Sequence, residues 1–590
     1  MDSRNYSAKK YFIYGFKDYI LNTNKIMTKR HFPSIREVIV DYINMYDERT
    51  QDINNKKLEN AEKDMINSAK FYLKESIFYH QEIYKKEIDL ILKSIEEDFA
   101  GRKNGYIMCH AFLKKMEKEN FYERIVKLLM NTTNYGRVDK IIYSLVSELQ
   151  YDGYSLSKLD KWYNNELKTR DITQENIDSK IEQFCLLKQN RMEFTFYVTI
   201  KLFDKESIYL GNNIVLSKQD IDFLEFPDAI MNYLQISNDT YIYKCKIEAM
   251  DVDKALEYLI NAFDAYIQMN NYVYFHENNK GKTIELGEKI IVYSSREGYQ
   301  KVRKVIQDER RIFHYNEEKE KRDIERFIKY RDRVYEEDIS NEEVSNIQRA
   351  LNIVKGQVTV NKESRIINLW SVLEYMLTFH EGKNIISKVQ DIIPKVVTLY
   401  AIKDQINMFW SNLLKYEEMQ SEVIGEFINN CAKVDDRRKY NLKKLITYIL
   451  QQGEKLGERL AFNDVLLRGI SSIGDILECA EKREKYIKQI YQEVEYDLVS
   501  IYRDRNALVH SGKKTVQDIN GKILRLYSYN NSLLGVIIYY KSENPFFTIQ
   551  EILNSICCTY NYYQSIISEE VDSDIIKLAN ICRPSYLFLE

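Results

Sequence analysis

The sequence predicts a mainly α-helical protein with a small α+β module near its middle, and three observations carry that expectation. Only 5 Pro and 19 Gly occur in 590 residues, so little interrupts long helices. Apolar residues recur at three- and four-residue intervals over most of the chain. Near residue 191 the period changes to two, and after about residue 345 it returns to the helical spacing. Apolar residues make up 44% and charged residues 30%, which excludes a disordered or fibrous chain. A chain of this length forms two to four domains and needs neither disulfides nor a structural metal for stability.

Residues 1–190 read as a helical region. Glu82–Phe99, Ala111–Met130 and Val138–Leu149 are amphipathic, with turns at Gly101–Gly105 and Asn134–Gly136. No chemical constellation stands out there. Residues 191–300 read as the α+β module. Met192–Phe203, Tyr241–Glu248, Tyr272–Phe275 and Lys289–Tyr293 have strand character, and Asp251 is placed to cap a helix with apolar residues at 252, 255, 256, 259, 263, 266 and 267. No glycine-rich phosphate loop follows a strand, so P-loop or Rossmann nucleotide binding is unsupported.

Residues 301–345 form a charged helical connector, since Arg303–Asp338 holds eleven basic and eleven acidic residues. Few contacts are expected to cross it. Residues 346–590 read as a helical domain able to fold alone from about Asn341. Its helices are expected at Ile366–Phe379, with Trp370 and Glu374 on one face, and around 386–401, 404–417, 421–432, 440–452, 484–511 and 549–567. Periodicity leaves Leu533–Tyr540 undecided between strand and helix.

Charge and cysteine usage narrow the function classes. Lys plus Arg is 86 and Asp plus Glu is 89, a net charge of −3, so wholesale coating of a polyanion is excluded while a local basic site is not. The longest apolar run, eight residues at Leu533–Tyr540, falls far short of the roughly 20 needed to span a membrane. The N-terminus lacks the apolar core of a signal peptide. The eight Cys are scattered without a CxxC pair, so a cytoplasmic chain with reduced thiols and no bound metal is expected, with Cys557–Cys558 packed in a core.

One segment carries chemistry. In Ala480–Lys514, positions 487, 491, 494, 498, 501 and 508 form an apolar stripe, and the stripe position after 501 is Arg505. A permanent charge on such a face is costly unless it is paired, with Glu374 or Asp504, or lines a functional cleft. His510 follows in the last turn, where the helix dipole favours its protonated form, and Gly512 supplies a helix stop. Lys513 and Lys514 add positive charge.

The string Tyr502, Arg505-Asn506, Val509-His510-Ser511-Gly512 resembles the RNxxxH motif of HEPN-domain ribonucleases. Arg365–Leu377 resembles the first helix of the ApeA-like branch of that superfamily, a group of anti-phage defence proteins. The likeness covers roughly residues 346–590. It implies a helical bundle that pairs as a homodimer and cleaves RNA, tRNA among the candidates, as a trigger-controlled abortive-infection toxin without cofactor or metal. Arg505, His510 and Asn506 would be catalytic; Arg503, Lys513 and Lys514 would bind RNA phosphates. Residues five apart lie about 140° apart around an α-helix, so a pocket shared between two copies is expected. The apolar stripe at 487–508 is expected to serve that two-fold contact. The alternative is a non-catalytic helical sensor or scaffold for RNA or a protein, with Arg505 and His510 making an ion-paired helix end.

Overall fold

The computed structural model describes residues 3–583 apart from 23–31, 53, 55, 100, 168–171, 188–190, 203–213, 217–226, 235–240, 264–283, 304–324, 334–341, 358–359, 380–383, 417–420, 435, 461–462, 512–515, 517 and 572–573. The protein is mainly α-helical and forms two compact units, the larger of residues 1–148, 169–182 and 315–590, the smaller of 149–168 and 183–314.

In chain order the helices are α1 Ser3–Asn22, α2 Ile35–Gln51, α3 Lys56–Glu75, α4 Glu82–Ile95, α5 Arg102–Lys118, α6 Phe121–Met130, α7 Tyr135–Tyr151, α8 Leu156–Trp162 and α9 Ile177–Glu182. The smaller unit adds α10 Asp228–Leu234 and α11 at 252–263. The larger unit continues with α12 at 325–333, α13 Glu342–Gly356, α14 Lys362–Leu377, α15 Ile385–Tyr416, α16 Ser421–Cys431, α17 Leu442–Arg459 and α18 Asp464–Glu478. It ends with α19 Ala480–Asn506, α20 Ile519–Glu543, α21 Ile549–Ile567 and α22 Ile575–Cys582.

In the smaller unit the period-two pattern becomes an antiparallel sheet. Its strands are β1 Met192–Leu202, β2 Ile214–Leu216, β3 Tyr241–Ala249, β4 Ile284–Ser294 and β5 Gly298–Arg303, in the order β2-β3-β1-β4-β5. Phe194, Phe196, Val198 and Ile200 of β1 fall on one face and pack with Ala255, Leu256, Leu259 and Phe263 of α11. Tyr197, Ile242 and Ile291 point to the other face, against Ile230 and Leu234 of α10. The β1–β4 register slips between Val198 and Ile200, and at Gly287 a Cβ would collide with Thr199, so glycine is required beside the bulge. Asp251 caps α11 as expected, accepting from the Lys254 N–H at 2.9 Å and also from the Ser155 N–H at 2.7 Å. The strand expected at Tyr272–Phe275 lies outside the described residues.

In the larger unit, α15 runs as one 32-residue helix where two were expected, because Ala401–Asp404 contains no breaker and Pro394 is accommodated within it. The undecided segment Leu533–Tyr540 is helical, part of α20. Leu533, Leu534, Val536, Ile537, Ile538, Tyr539 and Tyr540 are all buried, so this stretch of α20 is covered on every side and shows no amphipathic period.

Three expectations are corrected. First, the front helices and the C-terminal helices form one unit rather than separate regions. Val499 of α19 packs with Met45 of α2 and Met65 of α3. Lys522 of α20 is buried, with its Nζ 2.6 Å from Asp504 and 3.2 Å from Glu37 of α2. Arg468 holds Asp139 at 3.0 Å, and the Tyr72 hydroxyl donates to the Glu493 carbonyl. Second, the described part of the charged connector is docked rather than free. Arg333 donates to the carbonyls of Ser542 and Glu543 at 3.2 Å, Arg326 covers the Tyr539 ring, and Tyr330 is buried under Lys541. Third, most of the stripe on α19 is consumed within the chain, with Tyr491 and Leu508 half-buried. Ile487, Val494, Leu498 and Ile501 are buried, so an apolar surplus there gives no argument for a two-fold contact. Cys557 is half-buried beside Lys395 and Cys558 is exposed, because neighbours on a helix point about 100° apart and cannot share one core face.

Candidate functional site

Arg505 lies in the last turn of α19, and three consecutive charged residues there turn to three different neighbours. Asp504 is buried and takes Lys522. Arg503 donates from Nη1 to the Asp41 carbonyl of α2 at 3.0 Å, so that nitrogen serves the fold rather than an incoming phosphate. Arg505 turns toward α14, where Nη2 lies 3.2 Å from Glu374 Oε2, and Nη1 donates to Asn506 Oδ1 at 3.0 Å. Of the two carboxylates open to Arg505 from the sequence, the fold selects Glu374. Arg505 and Glu374 remain accessible, with side chains 19% and 22% exposed, while Arg505 Nε is buried without an acceptor among the described residues.

The carboxylate is itself held. Trp370 is fully buried, and its Nε1 donates to Glu374 Oε1 at 2.9 Å, one helical turn away on α14. The Trp370 and Tyr502 rings lie 5.3 Å apart at 37°, which ties the two helices together beside the ion pair. Asn361 caps α14 by accepting the Ser364 N–H, and the buried Asn530 of α20 donates to the Leu369 carbonyl at 3.0 Å, fixing α14 from its other side.

Beyond Asn506 the helix changes type. Ala507–Ser511 is π-helical, with main-chain hydrogen bonds closing five residues on. The 140° separation expected for residues 505 and 510 holds for α-helix spacing, and this widened turn departs from it. Such turns are uncommon and concentrate at functional sites. The His510 side chain, Gly512, Lys513 and Lys514 lie outside the described residues. Among the expected site residues, then, the structure brings Arg505 and Asn506 together and sends Arg503 elsewhere.

Sequence reasoning missed Glu37 and Asp41, which brace residues 503–504 from the front of the chain. A signal existed: Arg36, Glu37 and Asp41 fall among the apolar residues of Ile35–Ile43, where a buried charge demands a partner. Burial raises the Glu37 carboxyl to about 7 despite Lys522. A separate cleft of about 900 Å³ is lined by Arg137, Lys140, Arg468, Lys482, Lys485 and Tyr486 among others. Three of those cations are already paired, Lys140 with Glu75, Arg468 with Asp139 and Lys482 with Asp475, and the cleft includes no residue of the RNxxxH string.

No family model, curated protein or solved structure matches the chain.

Proposed function

We propose that the chain is a metal-independent endoribonuclease of the HEPN type, a latent toxin of anti-phage defence, with Arg505, Asn506 and His510 as its working groups. The observation that carries this reading is the seat of Arg505: a permanently charged, partly exposed guanidinium at the mouth of a π-helical turn, held by one carboxylate oxygen and one amide oxygen. A phosphate is the natural further partner for such a fork.

In this reaction His510 takes the proton from a ribose 2′-hydroxyl, and the 2′-oxygen attacks the adjacent phosphorus. The bond from phosphorus to the 5′-oxygen breaks, and the His510 of a second copy returns a proton to that oxygen. Arg505 stabilises the charge that builds on the phosphate oxygens, and Asn506 orients the guanidinium through its Oδ1. The products are a 2′,3′-cyclic phosphate and a 5′-hydroxyl, and DNA is inert because it lacks the nucleophile.

The second reading, a non-catalytic sensor or scaffold, draws on the same contact, since an ion pair from Arg505 to Glu374 also serves as a structural helix tie. Incubating the purified full chain with total RNA in EDTA, beside His510→Ala and Arg505→Ala, separates the two. Cleavage by the wild type alone supports the nuclease, and binding without cleavage supports the sensor.

A further inference from the structure

We infer that Glu374 and Trp370 act together as positioning residues for Arg505, with Trp370 limiting Glu374 to a single bond so that the guanidinium stays exchangeable with phosphate. This rests on the nuclease reading above. A free carboxylate beside arginine normally takes two parallel N–H groups, one on each oxygen. Here Oε2 meets Arg505 at Nη2, while Oε1 is turned to the Trp370 indole N–H, which holds it in that direction. The neighbouring Arg505 Nε–H, the group a second carboxylate oxygen would take, is buried with no acceptor among the described residues. Trp370 is held in this role, since it is fully buried and its ring packs at 37° against Tyr502 on the helix that carries Arg505.

The consequence is a guanidinium that is oriented but not saturated. Glu374 fixes its direction, and the unfilled Nε–H lowers what is lost when Arg505 shifts toward a phosphate. Removing the indole N–H frees Oε1 to close the fork on Nε, tightening Arg505 against Glu374 and weakening its hold on RNA. Removing the carboxylate altogether leaves the guanidinium unaimed. The two substitutions therefore act on different kinetic constants.

The test is steady-state cleavage of a defined RNA by the full chain and by Glu374→Ala, Glu374→Gln, Trp370→Phe, Arg505→Ala and His510→Ala, with thermal melting of each. Glu374→Ala should lower kcat by about tenfold to a hundredfold. Glu374→Gln, whose one amide oxygen can still accept from Arg505 Nη2, should recover part of the kcat lost in Glu374→Ala. Trp370→Phe should raise KM several-fold with kcat nearly unchanged. Equal losses in Glu374→Ala and Glu374→Gln that follow their melting temperatures would overturn the inference, as would Trp370→Phe with an unchanged KM, while an inactive Arg505→Ala left the nuclease reading standing. A wild type no more active than His510→Ala would remove the reading itself and this inference with it.

Discussion

Glu37 lies on α2 with its carboxyl buried 3.2 Å from Lys522, whose ammonium is held more closely by Asp504 at 2.6 Å. Two acids share one cation, and desolvation raises Glu37 from 4.5 to about 7. Between those values the folded chain keeps a proton that the unfolded chain has lost. Stability from this group is therefore greatest below about pH 4.5 and declines as pH rises toward 7, by at most about 3 kcal/mol. Glu37→Gln removes the titration, so its melting temperature relative to wild type should be higher at pH 8 than at pH 5. An unchanged difference across that range would show that Glu37 is ionised throughout. At the same scale, the pairing of Arg505 was half legible. The sequence offered Glu374 and Asp504 as partners, and only the fold reveals that Lys522, eighteen residues on, claims Asp504. His510 was legible as chemistry by its residue type and string, but its side chain is not among the described positions.

Helix α19 shows how one element can do two jobs. Its face of Ile487, Val494, Leu498 and Ile501 is buried within the chain, and its last turn delivers Arg505 to α14. Leu498→Ala or Ile501→Ala should cost about 2–5 kcal/mol in chemical denaturation, as expected for fully buried aliphatics. Val509→Asp, at a position 44% exposed on the π-helical turn, should change stability by less than about 0.5 kcal/mol. Similar losses at all three positions would mean that the π-helical turn is packed as firmly as the helix before it. The apolar period of α19 was visible in sequence; its covering partner was not, because periodicity gives a face without naming what meets it. The reverse happened in α20, where burial on every side erased the period and left Leu533–Tyr540 undecided. The π-helical turn at Ala507–Ser511 had no sequence signal, since its five-residue hydrogen bonding depends on how the end of α19 is held by α2, α14 and α20.

At the scale of the whole molecule, the front helices and the C-terminal helices share one unit. The sequence-based expectation of an independent fragment from Asn341 rested on local apolar faces and could not see long-range ion pairs. Deleting residues 1–148 would leave Arg468 without Asp139 and Val499 without Met45 and Met65, and would take Glu37 from Lys522, which keeps Asp504. Breaking these ion pairs and opening that apolar contact together is destabilising. That fragment should therefore be insoluble or should lose cooperative unfolding in calorimetry, and a soluble, cooperatively melting fragment would contradict the single-unit description. The mainly-α class and the α+β module were legible because each depends on residue period, whereas the grouping of segments depends on contacts more than 300 residues apart. The central claim, that Arg505 and His510 serve RNA cleavage, is tested most directly by end-group analysis of RNA incubated with the purified full chain in EDTA. The account predicts fragments bearing 2′,3′-cyclic phosphate and 5′-hydroxyl ends from wild type, none from His510→Ala or Arg505→Ala, and intact DNA of the same sequence. Cleavage that persists in His510→Ala, or that yields 5′-phosphate ends, would contradict it.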